Sequence, residues 1–301
     1  MAVFASLVHE IWSTGIASVA RVGYRLSVLP EAWVPELHAS LPLRRFGETT
    51  RRDAWWLQST VVFVGLSFFV GYMTWAAFQN ANYEWGPYLS PLYSPLFFGT
   101  SAHSWFGGPD IPTWWPGALP YSAAFLILWA PGGFRATCYY YRGAYYKAFW
   151  ADPAACAVGE LRKGFRGENS FPLIFQNIHR YFMYVAVIFI FILSYDAWVA
   201  MWWPTAGGGS EFGLGIGTLV LSLNVVLLGG YTLGCHSLRH LVGGLLDVMS
   251  NRPVRQRAYG CVSALNAGHM KWAWISLFWV SFTDFYVRMC AMGIWTDLRL
   301  F

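Results

Sequence analysis

Charge is what this 301-residue chain has least of: Asp, Glu, Lys and Arg make up 12 % of it, where a soluble domain carries about 25 %. That shortage excludes an ordinary soluble enzyme and points to lipid contact. Cysteine is scarce and odd in number, five residues in or near apolar runs, which excludes a disulfide framework. No internal repeat is visible, and this counts against an inverted-repeat transporter or a channel built from paired halves. No stretch is polar and long enough to fold as a soluble flavin- or substrate-binding domain, so any redox role requires partners. The first thirty residues lack the basic start of a secretory signal, and His9 and Glu10 interrupt their apolar part.

What the chain does have is apolar and aromatic surface, 56 % and 19 % of residues. The aromatics suit belts at two membrane interfaces. Its Lys and Arg residues are not scattered. All those before Arg288 fall in three segments, 1–54, 135–180 and 236–271. The net charge of +5 therefore belongs to span ends, where anionic lipid headgroups account for it; nucleic acid is not a partner. The positive-inside rule places the three basic segments in the cytoplasm.

A helix needs about 20 apolar residues to cross the hydrocarbon core. Five stretches meet or approach that length, at about 55–77, 118–134, 181–203, 213–235 and 272–294. The expectation is one integral membrane domain over 1–301 and an all-α fold. It is a membrane-embedded five-helix bundle with an N-terminal interfacial helix and cytoplasmic amphipathic loops. The N-terminus lies inside and the C-terminus outside a bacterial cytoplasmic (inner) membrane. The last span carries Asp284 and Arg288, which at i,i+4 can neutralise each other.

Residues able to ligate a metal gather at the inward ends of these spans. Cys138 follows the second span and Cys156 comes eighteen residues later. His236 and His240 share one helical face, Cys235 stands beside them as a secondary candidate, and His179 opens the third span. Two cofactors fit such a set. A b-type haem needs imidazoles on opposite faces of the macrocycle. A Rieske-type [2Fe–2S] cluster needs two thiolates and two neutral imidazoles, and Cys138, Cys156, His236 and His240 meet that count, with His179 as substitute. The compact paired motif of soluble Rieske domains is absent. Cys261 and Cys290 read as packing residues, and His9, His38, His103 and His269 stand alone.

The runs APGGFRATCYYYRGAYYKAFWADP, ENSFPLIFQNIHRYF and GYTLGCHSLRHLVGG resemble the membrane-anchor subunit of succinate dehydrogenase (SdhC-like), in its mycobacterial type-one branch. The resemblance spans roughly 120–245. It implies a succinate:menaquinone oxidoreductase in which a flavoprotein subunit with FAD and an iron–sulfur subunit with further clusters dock on the cytoplasmic face. The anchor passes electrons to menaquinone, and the resemblance leaves open a further small membrane subunit. Many anchors of the family hold haem b; the mycobacterial branch resembles a departure with the Rieske-type cluster on the four residues above. The other reading is a haem-b quinone anchor of a related dehydrogenase or fumarate reductase. Tyr139, Tyr140, His179 and Arg180 are the quinone-binding candidates, and Arg135, Arg142, Lys147, Arg162, Lys163 and Arg166 offer a basic docking surface.

Overall fold

The computed structural model of the chain describes residues 45–161, 169–171, 173–205, 207–246 and 248–301. The interfacial helix expected over the first thirty residues, and Arg162, Lys163 and Arg166 of the basic surface, lie outside them. Eight α-helices are present among the described residues: α1 (Trp55–Gln79), α2 (Trp129–Ala136), α3 (Tyr139–Ala144), α4 (His179–Val199), α5 (Ile216–Leu233), α6 (His236–Gly243), α7 (Pro253–Ala267) and α8 (His269–Ala291).

Three of these segments are long and apolar enough to cross a membrane: Trp55–Gln79, Leu173–Val199 (a 3-10 turn running into α4) and Ile216–Leu233. This corrects the five-helix bundle. The expected second span is broken into a 3-10 turn at Ala123–Leu126 and the eight-residue α2, about 12 Å long against a core of about 30 Å. Proline lacks the amide hydrogen a continuing helix needs. Pro131 therefore sits in the first turn of α2, where that hydrogen has no intrahelical partner. The expected fifth span is a 23-residue helix, α8, but Lys271, Asp284 and Arg288 take it out of the lipid-like class.

The outer helices and the central one differ in what they bury. In α1 only Leu66, Ala76 and Ala77 are buried, while Trp56, Val64, Phe68, Val70 and Phe78 face outward. A helix apolar on every side belongs in lipid. It stops at Asn80, whose φ of 44° is the left-handed C-cap conformation Asn tolerates. By contrast, α8 buries twelve residues and packs along α5, so it is the inner stave.

Two buried polar networks secure that stave. Asp284 Oδ2 accepts from Arg288 Nε at 2.8 Å and from Tyr72 Oη of α1 at 2.7 Å. Arg288 also donates to the carbonyls of Ala76 (3.0 Å) and Ala81 (2.7 Å), and Ser90 donates to Asp284. Every charge is thereby matched, which a buried ion pair requires. At the other network, Asp297 accepts from Tyr88, Tyr286 and the backbone N–H of Gly217. This puts a carboxylate at the N-terminus of α5, where the helix dipole favours it. Two short antiparallel hairpins, β1 (Glu84–Trp85) with β2 (Tyr88–Leu89) and β3 (Trp202–Pro204) with β4 (Ser210–Phe212), complete the end where α1 and α4 finish.

Candidate functional site

Four interruptions of the chain define the site. Cys138 is the N-cap of α3 (φ −65°, ψ 131°) and Cys235 the N-cap of α6 (φ −63°, ψ 139°). His179 and His269 open α4 and α8. Each residue stands where one helix gives way to the next, and the bundle brings the four interruptions together. Cys138 Sγ lies 3.8 Å from His269 Nε2, and Cys235 Sγ lies 3.2 Å from His179 Nε2. His179 Nδ1 is 2.9 Å from Thr137 Oγ1. The Phe134 ring stacks on His179 and the Tyr231 ring on His269, with centroids 4.7 and 5.0 Å apart. Cys138, Cys235 and His269 are buried, and burial pushes the Cys138 thiol above its usual range. His269 Nδ1 is buried and has no hydrogen-bond partner among the described residues.

The ligand set expected from the sequence is not assembled. Cys138 is buried in the bundle, whereas Cys156 is exposed, its carbonyl accepting from Arg51 Nη1 at 2.9 Å. His236 and His240 are exposed and contact each other, Nε2 to Nε2, at 2.9 Å. Two imidazoles so close on one helix face cannot flank a macrocycle either. Partial desolvation of the His236 ring, with His240 and Arg239 beside it, holds its imidazole below the ordinary range. Cys235 and His179 pair with each other, and His269, which looked isolated in the sequence, joins Cys138. Among the described residues no group of three or more His, Cys, Asp or Glu side chains is arranged to hold a metal ion. The embedded Rieske-type cluster is thereby overturned. What the buried set forms is two thiol–imidazole pairs in direct contact.

Beside these pairs runs a cavity of about 680 Å³, within the range of small-molecule sites. Its walls are apolar, including Phe69, Met73, Phe125, Leu193 and Leu277, and one end is polar, with Arg135, Tyr141 and Tyr145. Arg135 donates to Tyr141 Oη (2.9 Å), Ser276 Oγ (2.9 Å) and the Ala273 carbonyl (3.2 Å). Its guanidinium lies 4.7 Å from the Tyr231 ring centroid, and no described carboxylate pairs with it. The docking role read for Arg135 and Arg142 does not match their places. Arg135 is half-buried at the cavity, and Arg142 is buried over the Tyr139 ring; Lys147 is exposed. Tyr139, Tyr140 and Arg180 are exposed, and His179 is half-buried behind Phe134; none of the four lines the cavity. The signal in the sequence is that Arg135 is the first charge after an uncharged run of two dozen residues following Asp110.

Three helices long and apolar enough to cross a membrane, and an apolar cavity with a polar end, with no soluble catalytic domain among the described residues, define a membrane subunit that works with partners. The family model for the actinobacterial succinate dehydrogenase subunit SdhC matches residues 57–293. The chain is also similar to a chain of the Mycobacterium smegmatis Sdh1 complex in the apo form. They share 43 % identity over 87 % of this chain and 96 % of that one, with a TM-score of 0.75. No curated protein matches the sequence. The chain belongs to the actinobacterial SdhC family: it is a non-catalytic membrane subunit of a succinate dehydrogenase complex.

Proposed function

We propose that this subunit holds a lipid-soluble quinone in the 680 Å³ cavity while a partner iron–sulfur subunit on the cytoplasmic face delivers electrons to it. Menaquinone is the substrate the resemblance implies, and a flavoprotein partner is the source of the electrons. The observation that carries the reading is the cavity's polarity. It follows α1 from Leu66 to Phe78, about 18 Å of helix, with an apolar wall for an isoprenoid tail and Arg135 at the ring end.

Reduction adds two electrons and two protons to the quinone and yields a quinol. The Arg135 cation, fixed by three hydrogen bonds, would stabilise negative charge as it develops on a carbonyl oxygen. Tyr145 stands ready to donate to a ring oxygen, while Tyr141, whose hydroxyl donates to the Ala273 carbonyl at 2.7 Å and accepts from Arg135, holds the guanidinium in place. Tyr139, Tyr140 and Arg180 on the exposed inner surface, with half-buried His179 behind them, offer a route for protons from the cytoplasm. The distribution of basic residues supports an orientation with 45–53, 139–161 and 236–268 inside.

Arg135→Met tests the reading in the whole complex. Quinone reduction by succinate is expected to fall about 100-fold or more, as for loss of a transition-state donor, while succinate oxidation with a soluble dye acceptor stays unchanged. Unaltered quinone reduction would remove Arg135 and the cavity from the reaction.

A further inference from the structure

A second, smaller pocket lies between α6 and α7, away from the cavity and the thiol–imidazole pairs. Its volume is about 110 Å³, and Arg239, His240, Gly243, Gly244 and Tyr259 line it. No acidic residue does. At about 30 Å³ per water the space holds three or four waters, or one phosphate group.

Arg239 is held as a receptor would hold it. Its Nε donates to Ser263 Oγ at 3.0 Å, and its guanidinium lies 5.1 Å from the centroid of Tyr259. The two terminal nitrogens have no hydrogen-bond partner among the described residues, so a planar fork is fixed with two donors open. That geometry matches the paired oxygens of a phosphate. A second cation, Arg255, does not line the pocket but donates to the carbonyls of Val242 and Gly244 at the end of α6, so positive charge stands behind its Gly244 side. Gly243 is required for the shape: a Cβ there would lie 2.5 Å from Cε2 of Tyr259.

We infer that this pocket binds the phosphate of an anionic phospholipid headgroup. The surroundings decide for a lipid over a free anion. α6 starts three residues after the membrane-crossing α5 ends, which sets the pocket at headgroup depth. Leu241, Leu245 and Val254 beside it are 51 %, 104 % and 81 % exposed, an apolar surface on which acyl chains can lie. Basic pockets at the inner ends of membrane helices are the usual receptors for such headgroups.

Native mass spectrometry of the detergent-solubilised complex, titrated with phosphatidylglycerol, phosphatidylcholine and inorganic phosphate, tests the assignment. The wild type is expected to prefer phosphatidylglycerol. Arg239→Gln should weaken that binding at least about tenfold, the value of one charge-assisted contact. Arg239→Lys, which keeps the charge and loses the fork, should fall between the two with assembly and dye-linked succinate oxidation intact. Equal phosphatidylglycerol affinity in wild type and both variants overturns the proposal. So does equal affinity for phosphatidylcholine, and inorganic phosphate binding as tightly as the lipid would give the pocket to a free anion instead.

Discussion

Arg135 and Arg288 show how differently one side chain is used at two levels of the same bundle. Arg288 is fully matched, by Asp284 and by two carbonyls, and its task is structural. Arg135 has only neutral partners, so its charge is left to act on whatever enters the cavity. Removing one member of a buried pair leaves the other uncompensated, at about 3–5 kcal/mol. Asp284→Ala should therefore lower the thermal stability of the complex by an amount in that range. Joint replacement of Asp284 and Arg288 by apolar residues should recover part of it, which thermal denaturation of the two variants would show. The thiols separate in the same way. Cys138 and Cys235 are committed to imidazoles 3.8 and 3.2 Å away, whereas Cys156 and Cys261 are exposed.

Among the elements, the informative ones are the short helices and the breaks between them. α2, α3 and α6 are eight, six and eight residues long, too short to stand alone in water, and they are held by packing, α2 against α4, α3 against α1 and α2, and α6 against α7 and α4. Close approach at α5 depends on Gly217, where an added Cβ would come within 2.3 Å of the Tyr88 ring. Gly217→Ala should destabilise the bundle by about 1–3 kcal/mol, as overpacking does, with Tyr88→Phe unable to relieve it because the ring itself is struck. Thermal shift measurements on the single and double variants would check this. The long elements were readable from the sequence because a run of apolar residues reports lipid contact position by position. The helix at Trp55–Gln79 begins where charge ends at Asp53. The broken segment around 118–134 was not readable as such, because apolar residues packed against protein look the same as those packed against lipid. α8 shows the converse: Asp284 and Arg288 are hidden in the bundle, and Lys271 in its first turn is its one exposed charge.

For the molecule as a whole, sidedness is the property most open to test. With 45–53, 139–161 and 236–268 on the inner side, the exposed Cys156 and Cys261 share one compartment. A membrane-impermeant maleimide should label both in inverted vesicles and neither in right-side-out ones, while buried Cys138, Cys235 and Cys290 stay unlabelled in both. Labelling of Cys156 and Cys261 from opposite sides would break the orientation. The sequence by itself determined that the chain lives in a membrane, which ends of its helices carry charge, and that Cys and His collect near one level. Those properties add up along the chain, residue by residue. Only the tertiary structure decided which Cys meets which His, because the pairing depends on how each helix is rotated and where it is interrupted. Spacing put His236 with His240 and left His269 alone; packing of α8 against α5 and α3 brought His269 to Cys138 and turned the other pair outward. The same packing moved Arg135 from an assumed docking face to the end of an apolar cavity, since an arginine at a helix end is exposed or enclosed according to what its neighbours cover.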